Sequence, residues 1–187
     1  MTGKESKRKK AIQRARELGK EYENLYVGCA QSSFAAIVDS LRSEAGIELF
    51  TPEEEDKIFT ALVGLSGGVG VSAKGSCGAV TGSSFAVSFA SGKGRKEQLA
   101  DKWASVTTCK NIRDSVVDRF LEEYGSVVCR DICFCRFGKA YDFTKQDVAI
   151  EFLSQSRKHP QCTVEGCTIS KAAAWAVEKI CDMKGVT

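Results

Sequence analysis

Proline is nearly absent. Only Pro52 and Pro160 occur in 187 residues, so long helices can run with few interruptions. Histidine is scarcer: His159, in Lys158-His159-Pro160, is the sole one. A Cys–His dyad would have that single candidate, and without a Cys-x-x-Cys-His segment c-type haem attachment is not expected. No stretch reaches the roughly 20 predominantly apolar residues of a membrane span. The nearest, Leu62 to Ala90, is full of Gly and Ser and carries Lys74. No apolar run follows the basic start, so no export signal is read and a cytoplasmic location is expected. Alternating apolar and polar residues, the mark of a half-buried strand, are also missing. No Gly-x-Gly-x-x-Gly follows a strand, and Lys74-Gly75-Ser76 inverts the order a phosphate-cradling loop needs.

What the chain has is cysteine. There are nine: Cys29, Cys77, Cys109, Cys129, Cys133, Cys135, Cys162, Cys167 and Cys181. Nine is odd, and the chain is long for a disulfide scaffold. Reduced thiols are therefore expected, and clustered thiols point to metal or redox chemistry. Cys129-Arg130-Asp131-Ile132-Cys133-Phe134-Cys135 is the densest group, but Cys-x3-Cys-x-Cys is not a common zinc spacing. Glycine is the second excess: 17 residues, concentrated between Gly64 and Gly94.

Helical periodicity dominates the rest. A charged helix is expected from about Ser6 to Tyr26, and Gly28 interrupts it. A second begins near Cys29 with Ala30, Phe34, Ile37, Val38 and Leu41 on one face, and Gly46 suits its end. Thr51-Pro52-Glu53-Glu54 is a strong start, with Thr51 as cap and Glu54 closing a capping box. A glycine-rich loop follows, centred on Gly67-Gly68-Val69-Gly70. Beyond it Gly78, Gly82, Ala86 and Ala90 recur every four residues, a smooth stripe that lets another helix approach closely. Residues 95–124 carry the clearest 3.6-residue period, from Leu99 and Trp103 through Val116 and Phe120 to Tyr124, with Gly125 as the end. Another helix is placed at Asp147 to Gln155, and the last near Thr168 or Ser170. The expectation is an all-α, compact bundle of about six helices with the glycine-rich loop before a central small-residue helix. It is divided into a basic helical extension over residues 1–24 and one cysteine-bearing domain over residues 25–187.

The extension crowds Lys4, Lys7, Arg8, Lys9, Lys10, Arg14, Arg16 and Lys20 together, although the net charge is only +3. Without interleaved aromatics or a nucleic-acid motif, a solvated helix face is the simpler reading and nucleic acid is not an expected partner. Cys29, Cys77 and Cys167 each sit at or just before a helix start. There the unpaired N–H groups and partial positive charge favour thiolate over thiol.

These pieces resemble a known family, the redox-active C-GCAxxG-C-C cysteine-motif proteins of anaerobic bacteria and archaea. The matching residues are Gly28-Cys29-Ala30-Gln31-Ser32, Gly67-Gly68-Val69-Gly70, and Gly75-Ser76-Cys77-Gly78-Ala79-Val80-Thr81-Gly82. Gly125-Ser126-Val127-Val128-Cys129-Arg130 and Cys167 before an Ala-rich helix complete them. The resemblance covers about Tyr22 to Ile180. It implies a helical redox domain with four recurring cysteines, Cys29, Cys77, Cys129 and Cys167, with Cys162 a rival for the last place. A related domain in a split-Soret type cytochrome is associated with an iron–sulfur centre, and the same four cysteines are the implied ligands here. Cys133, Cys135 and the basic start depart from the pattern.

Three functions follow from this reading. The favoured one is an iron–sulfur protein that transfers electrons, since four thiolates suit a two-iron or four-iron cluster. The alternative is a thiol–disulfide oxidoreductase or redox sensor, with Cys77 attacking and Cys29 or Cys129 resolving. The third is a non-catalytic binding module docking through the basic helix. A redox partner protein and a homo-oligomer are the partners the favoured reading allows.

Overall fold

Ser6 opens the first helix, its hydroxyl accepting the Lys9 N–H at 3.3 Å. The structure is a computed structural model that describes residues 6–187, apart from the side chain of Arg157. Lys4 of the basic segment lies outside the described residues. Helix α1 runs Lys7–Tyr26, α2 Cys29–Ser40, α3 Pro52–Val63, α4 Gly78–Ala90, α5 Arg95–Ala100, α6 Ala104–Ile112, α7 Asp118–Tyr124, α8 Cys129–Phe137, α9 Gln146–Lys158 and α10 Thr168–Lys184. A π turn, Leu41–Ala45, continues α2, and another, Arg113–Val117, joins α6 to α7 in one rod. The described residues are 70% helical and contain no strand, so the all-α class stands. With α6 and α7 taken as one rod, the described residues form nine helices rather than about six.

The local signals explain most of these elements. The Thr51–Glu54 capping box is formed in both directions, with the Glu54 N–H on Thr51 Oγ1 at 3.3 Å and the Thr51 N–H on Glu54 Oε2 at 2.8 Å. Gly46 and Gly125 end their helices in the left-handed conformation, at φ of 68° and 71°. Two segments account for the added helices. The 95–124 pattern breaks at Asp101, whose carboxylate accepts the Trp103 N–H at 2.9 Å and holds a turn there. The cysteine-rich segment 129–137 is itself a helix, ended by Gly138 at φ 71°.

The 3.6-residue pattern of 95–124 is buried only in its second half. Val116 and Phe120 are fully buried, while Leu99 and Trp103 are 81% and 77% exposed. Periodicity identifies a stripe but not the partner that covers it.

The core lies where α1, α2, α4 and α10 pack together. Small residues set how closely they approach. A Cβ on Gly82 would lie 2.2 Å from the Ala30 carbonyl oxygen, and one on Gly78 would lie 2.4 Å from Cys29 Sγ. A Cβ on Gly19 would strike the Ser170 backbone at 2.7 Å. The stripe expected on α4 is therefore the surface on which α2 rests. Helix α1, expected as an extension, contributes Ala11, Ala15 and Leu18 to this same core. A second apolar cluster joins α8 to α9, with Tyr141 at its centre and Phe137, Phe143 and Phe152 around it.

Candidate functional site

Cys29 begins α2, Cys77 is the N-cap of α4, Cys129 begins α8 and Cys167 is the N-cap of α10. All four cysteines expected in the site thus stand at helix starts, where the peptide dipoles and free N–H groups favour negative charge.

Chain-distant segments are drawn together by backbone. A single antiparallel bridge pairs Ser76 with Val128. Around it the Cys77 N–H donates to the Val127 carbonyl at 2.8 Å and the Cys129 N–H to the Gly75 carbonyl at 3.0 Å. The Arg130 N–H reaches the Ala73 carbonyl at 3.0 Å. The glycine-rich loop supplies the Ala73 and Gly75 carbonyls, and its path is set by left-handed residues that include Val69, Val71 and Ala73 as well as Gly67, Gly68 and Gly70. Ser66 joins the loop to α2, accepting the Ala30 N–H at 3.1 Å and donating to Gln31 Oε1 at 2.7 Å.

One cavity of about 360 Å³ results, and its wall includes Cys29, Cys77, Cys129 and Cys133. The thiols stand as two pairs. Cys77 acts on the Cys29 sulfur as a hydrogen-bond donor, and this, against the cost of burial, with the backbone N–H groups of Gly67 and Gly78, brings Cys29 down to about 6. Cys77 moves the other way, raised by the same hydrogen bond and by burial. Cys129 is raised by its hydrogen bond with Cys133 and by burial. Cys29 is also the half-exposed member, whereas the other three are buried.

Cys167 is fully buried and is not on the cavity wall, although its neighbours Thr168 and Ile169 are. Burial raises it to about 11. Cys162, the rival, lies beside Arg136, whose Nη2 is 3.4 Å from its sulfur. Cys109 and Cys135 are exposed, and Cys181 is buried within α10. The cavity wall also carries Cys133, which lies outside the four cysteines expected from the resemblance. Its signal was present: Cys129 and Cys133 are four residues apart, so one helix face carries both once Gly138 is read as that helix's end.

Among the described residues, no three Cys, His, Asp or Glu side chains form a site for one metal ion. The donor set, four thiols grouped two and two, does fit a two-iron cluster, in which each iron takes two thiolates. Two paired thiols equally fit a dithiol–disulfide couple. No described helix is long and apolar enough to cross a membrane. A family model described as "Putative redox-active protein (C_GCAxxG_C_C)" matches residues 27–179. No curated protein and no solved structure matches the chain.

Proposed function

Because the chain belongs to the redox-active C_GCAxxG_C_C family, we propose that it is an electron-transfer protein whose cavity holds an iron–sulfur cluster through Cys29, Cys77, Cys129 and Cys133. The observation that carries this reading is the grouping of four thiols, two and two, on one cavity wall at the starts of three helices. Such a cluster supplies one-electron transfer. The helix starts and the Gly67 and Gly78 N–H groups offset the negative charge that thiolates bring. Phe137, Phe143 and Phe152 make the adjoining wall apolar. Cys133 takes the place that the family resemblance gives to Cys167, because Cys133 lines the cavity and Cys167 does not.

Anaerobic purification or reconstitution with iron and sulfide tests this. The expected result is brown protein with iron and acid-labile sulfide. The colour should be lost in Cys133→Ser and retained in Cys167→Ser. Colourless, iron-free protein after reconstitution would remove the proposal.

One observation favours a second reading. The Cys77 thiol facing a Cys29 sulfur held as thiolate is the arrangement of a dithiol–disulfide couple. In that case oxidation joins the Cys29 thiolate to Cys77; the two electrons pass to an oxidised disulfide partner, which is reduced to two thiols, and the Cys77 proton supplies one of the two protons this takes. Mass mapping of alkylated peptides from oxidised and reduced samples checks it, and the reading fails if Cys29 and Cys77 stay alkylatable in both.

A further inference from the structure

Arg136 places a buried positive charge on the wall of the thiol cavity, and its neighbourhood leaves that charge unanswered. The residue is 9% exposed. Its Nη2 donates to two neutral acceptors, the Gln161 carbonyl at 3.4 Å and Cys162 Sγ at 3.4 Å. Its guanidinium lies over the Phe137 ring at 4.8 Å. Buried Nε has no hydrogen-bond partner, and no carboxylate among the described residues pairs with this guanidinium. A buried charge is costly unless an opposite charge and hydrogen bonds meet it.

The neighbouring sulfurs do not meet it. Cys162 and Cys167 feel the Arg136 charge, yet burial keeps both as neutral thiols. The Cys29 sulfur takes its donors from Cys77 and from backbone. Thr168, on the same wall, also has a buried hydroxyl without a partner. Cys129, Cys133 and Arg136 fall at i, i+4 and i+7 of α8, one face of one helix, with the guanidinium about a turn beyond the thiols.

The rest of the wall selects the kind of anion. Phe137, Phe143, Phe152, Leu153 and Ile132 are apolar. Glu23, the one carboxylate on the wall, is paired with Lys20 at 2.6 Å. We propose that the cavity binds a small monocarboxylate with an apolar body, its carboxylate at the Arg136 guanidinium and its body among the aromatic side chains beside the thiols. This site does not depend on whether the sulfurs hold iron or pair with one another.

Calorimetric titration of the anaerobically purified full-length protein with benzoate, phenylacetate and hexanoate tests the proposal, with iron measured on the same sample. At least one of these acids should bind, and its neutral amide should bind about tenfold more weakly or less. Arg136→Gln should lose the same factor, whereas Arg130→Gln, at an exposed arginine paired with Asp131, should retain binding. Heat absent with all three acids at about 10 mM would overturn the proposal. So would an amide that binds as well as its acid, a comparison made on the unmodified protein whether or not the variant folds.

Discussion

Cys29 and Cys77 share a hydrogen bond, yet they are chemically unequal. Cys29 receives donors from three directions and is half-exposed, while Cys77 is buried and gives its proton to the pair. In reduced, iron-free protein Cys29 should therefore be alkylated first, with a rate that climbs through about pH 6. Cys77→Ala removes its principal donor, so the midpoint should move toward the ordinary thiol value of about 8.5. Iodoacetamide labelling against pH, read by mass spectrometry, checks both. Stability follows the same asymmetry. The depressed Cys29 pKa stabilises the fold above its unfolded value of 9.0, and that contribution is lost as pH falls through about 6. The raised thiols Cys77 and Cys129 act in the opposite sense, their contribution fading as pH rises past the unfolded value. Between about pH 6 and the unfolded value of 9.0 the Cys29 contribution should dominate, and urea midpoints of iron-free protein should rise across that range. Of this residue-scale chemistry, the helix-start positions of Cys29, Cys77 and Cys167 were legible in the sequence. Their unequal burial was not, because it depends on which loop and which helix lie across the chain.

The α2–α4 crossing shows what an element pattern conveys and what it omits. Gly78, Gly82, Ala86 and Ala90 predict a close approach from spacing alone, and the approach is so close that a methyl group on Gly82 would lie 2.2 Å from the Ala30 carbonyl. Gly82→Ala must push the helices apart and should cost about 1–3 kcal/mol, the usual range for overpacking. It should also separate Cys29 from Cys77 and raise the Cys29 midpoint. Denaturant unfolding and the labelling profile read the two effects on one sample. Thr51→Ala makes a contrast. It removes a formed capping box on α3, costs about 1 kcal/mol and should leave the thiol profile unchanged. Other elements were less legible. Leu99 and Trp103 keep the same period as Val116 and Phe120, and nothing in the spacing says that the first pair faces outward. Helix α8 was hidden because its cysteines and aromatics were read as a chemical cluster, although Gly138 marks its end. The Ser76–Val128 bridge joins two segments that have no local reason to meet, so local patterns could not bring Cys77 beside Cys129, which only the family resemblance grouped.

At the scale of the molecule, the cavity depends on helices that do not touch its thiols. Thr168 and Ile169 at the start of α10 line the cavity, and α10 is held along its length by α1. Ala11 and Ala15 of α1 are fully buried, and Gly19 packs directly on the Ser170 backbone. Arg8 reaches Glu178 at 3.0 Å and Asp182 at 2.8 Å, so part of the basic face is engaged within the fold. Tyr22 ties the same helix to α2, its hydroxyl donating to Asp39 at 2.8 Å and its carbonyl accepting from Ser32 at 3.0 Å. Composition could not distinguish a charged extension from a structural helix, since the apolar positions of α1 are mostly small alanines among many charges. The two possibilities predict different behaviour for a chain that starts at residue 25. Losing α1 bares the apolar face of α10, at a cost comparable with the whole stability of about 5–15 kcal/mol of an ordinary domain. Such a chain should unfold without a cooperative transition, and its thiols should alkylate without the Cys29 preference. Arg8→Ala in the full-length protein removes only partly exposed ion pairs and should cost about 1 kcal/mol or less. A truncated chain melting within a few degrees of the full-length protein would make residues 1–24 a dispensable extension. A collapse of cooperativity would make α1 part of the frame that holds the start of α10 against the cavity.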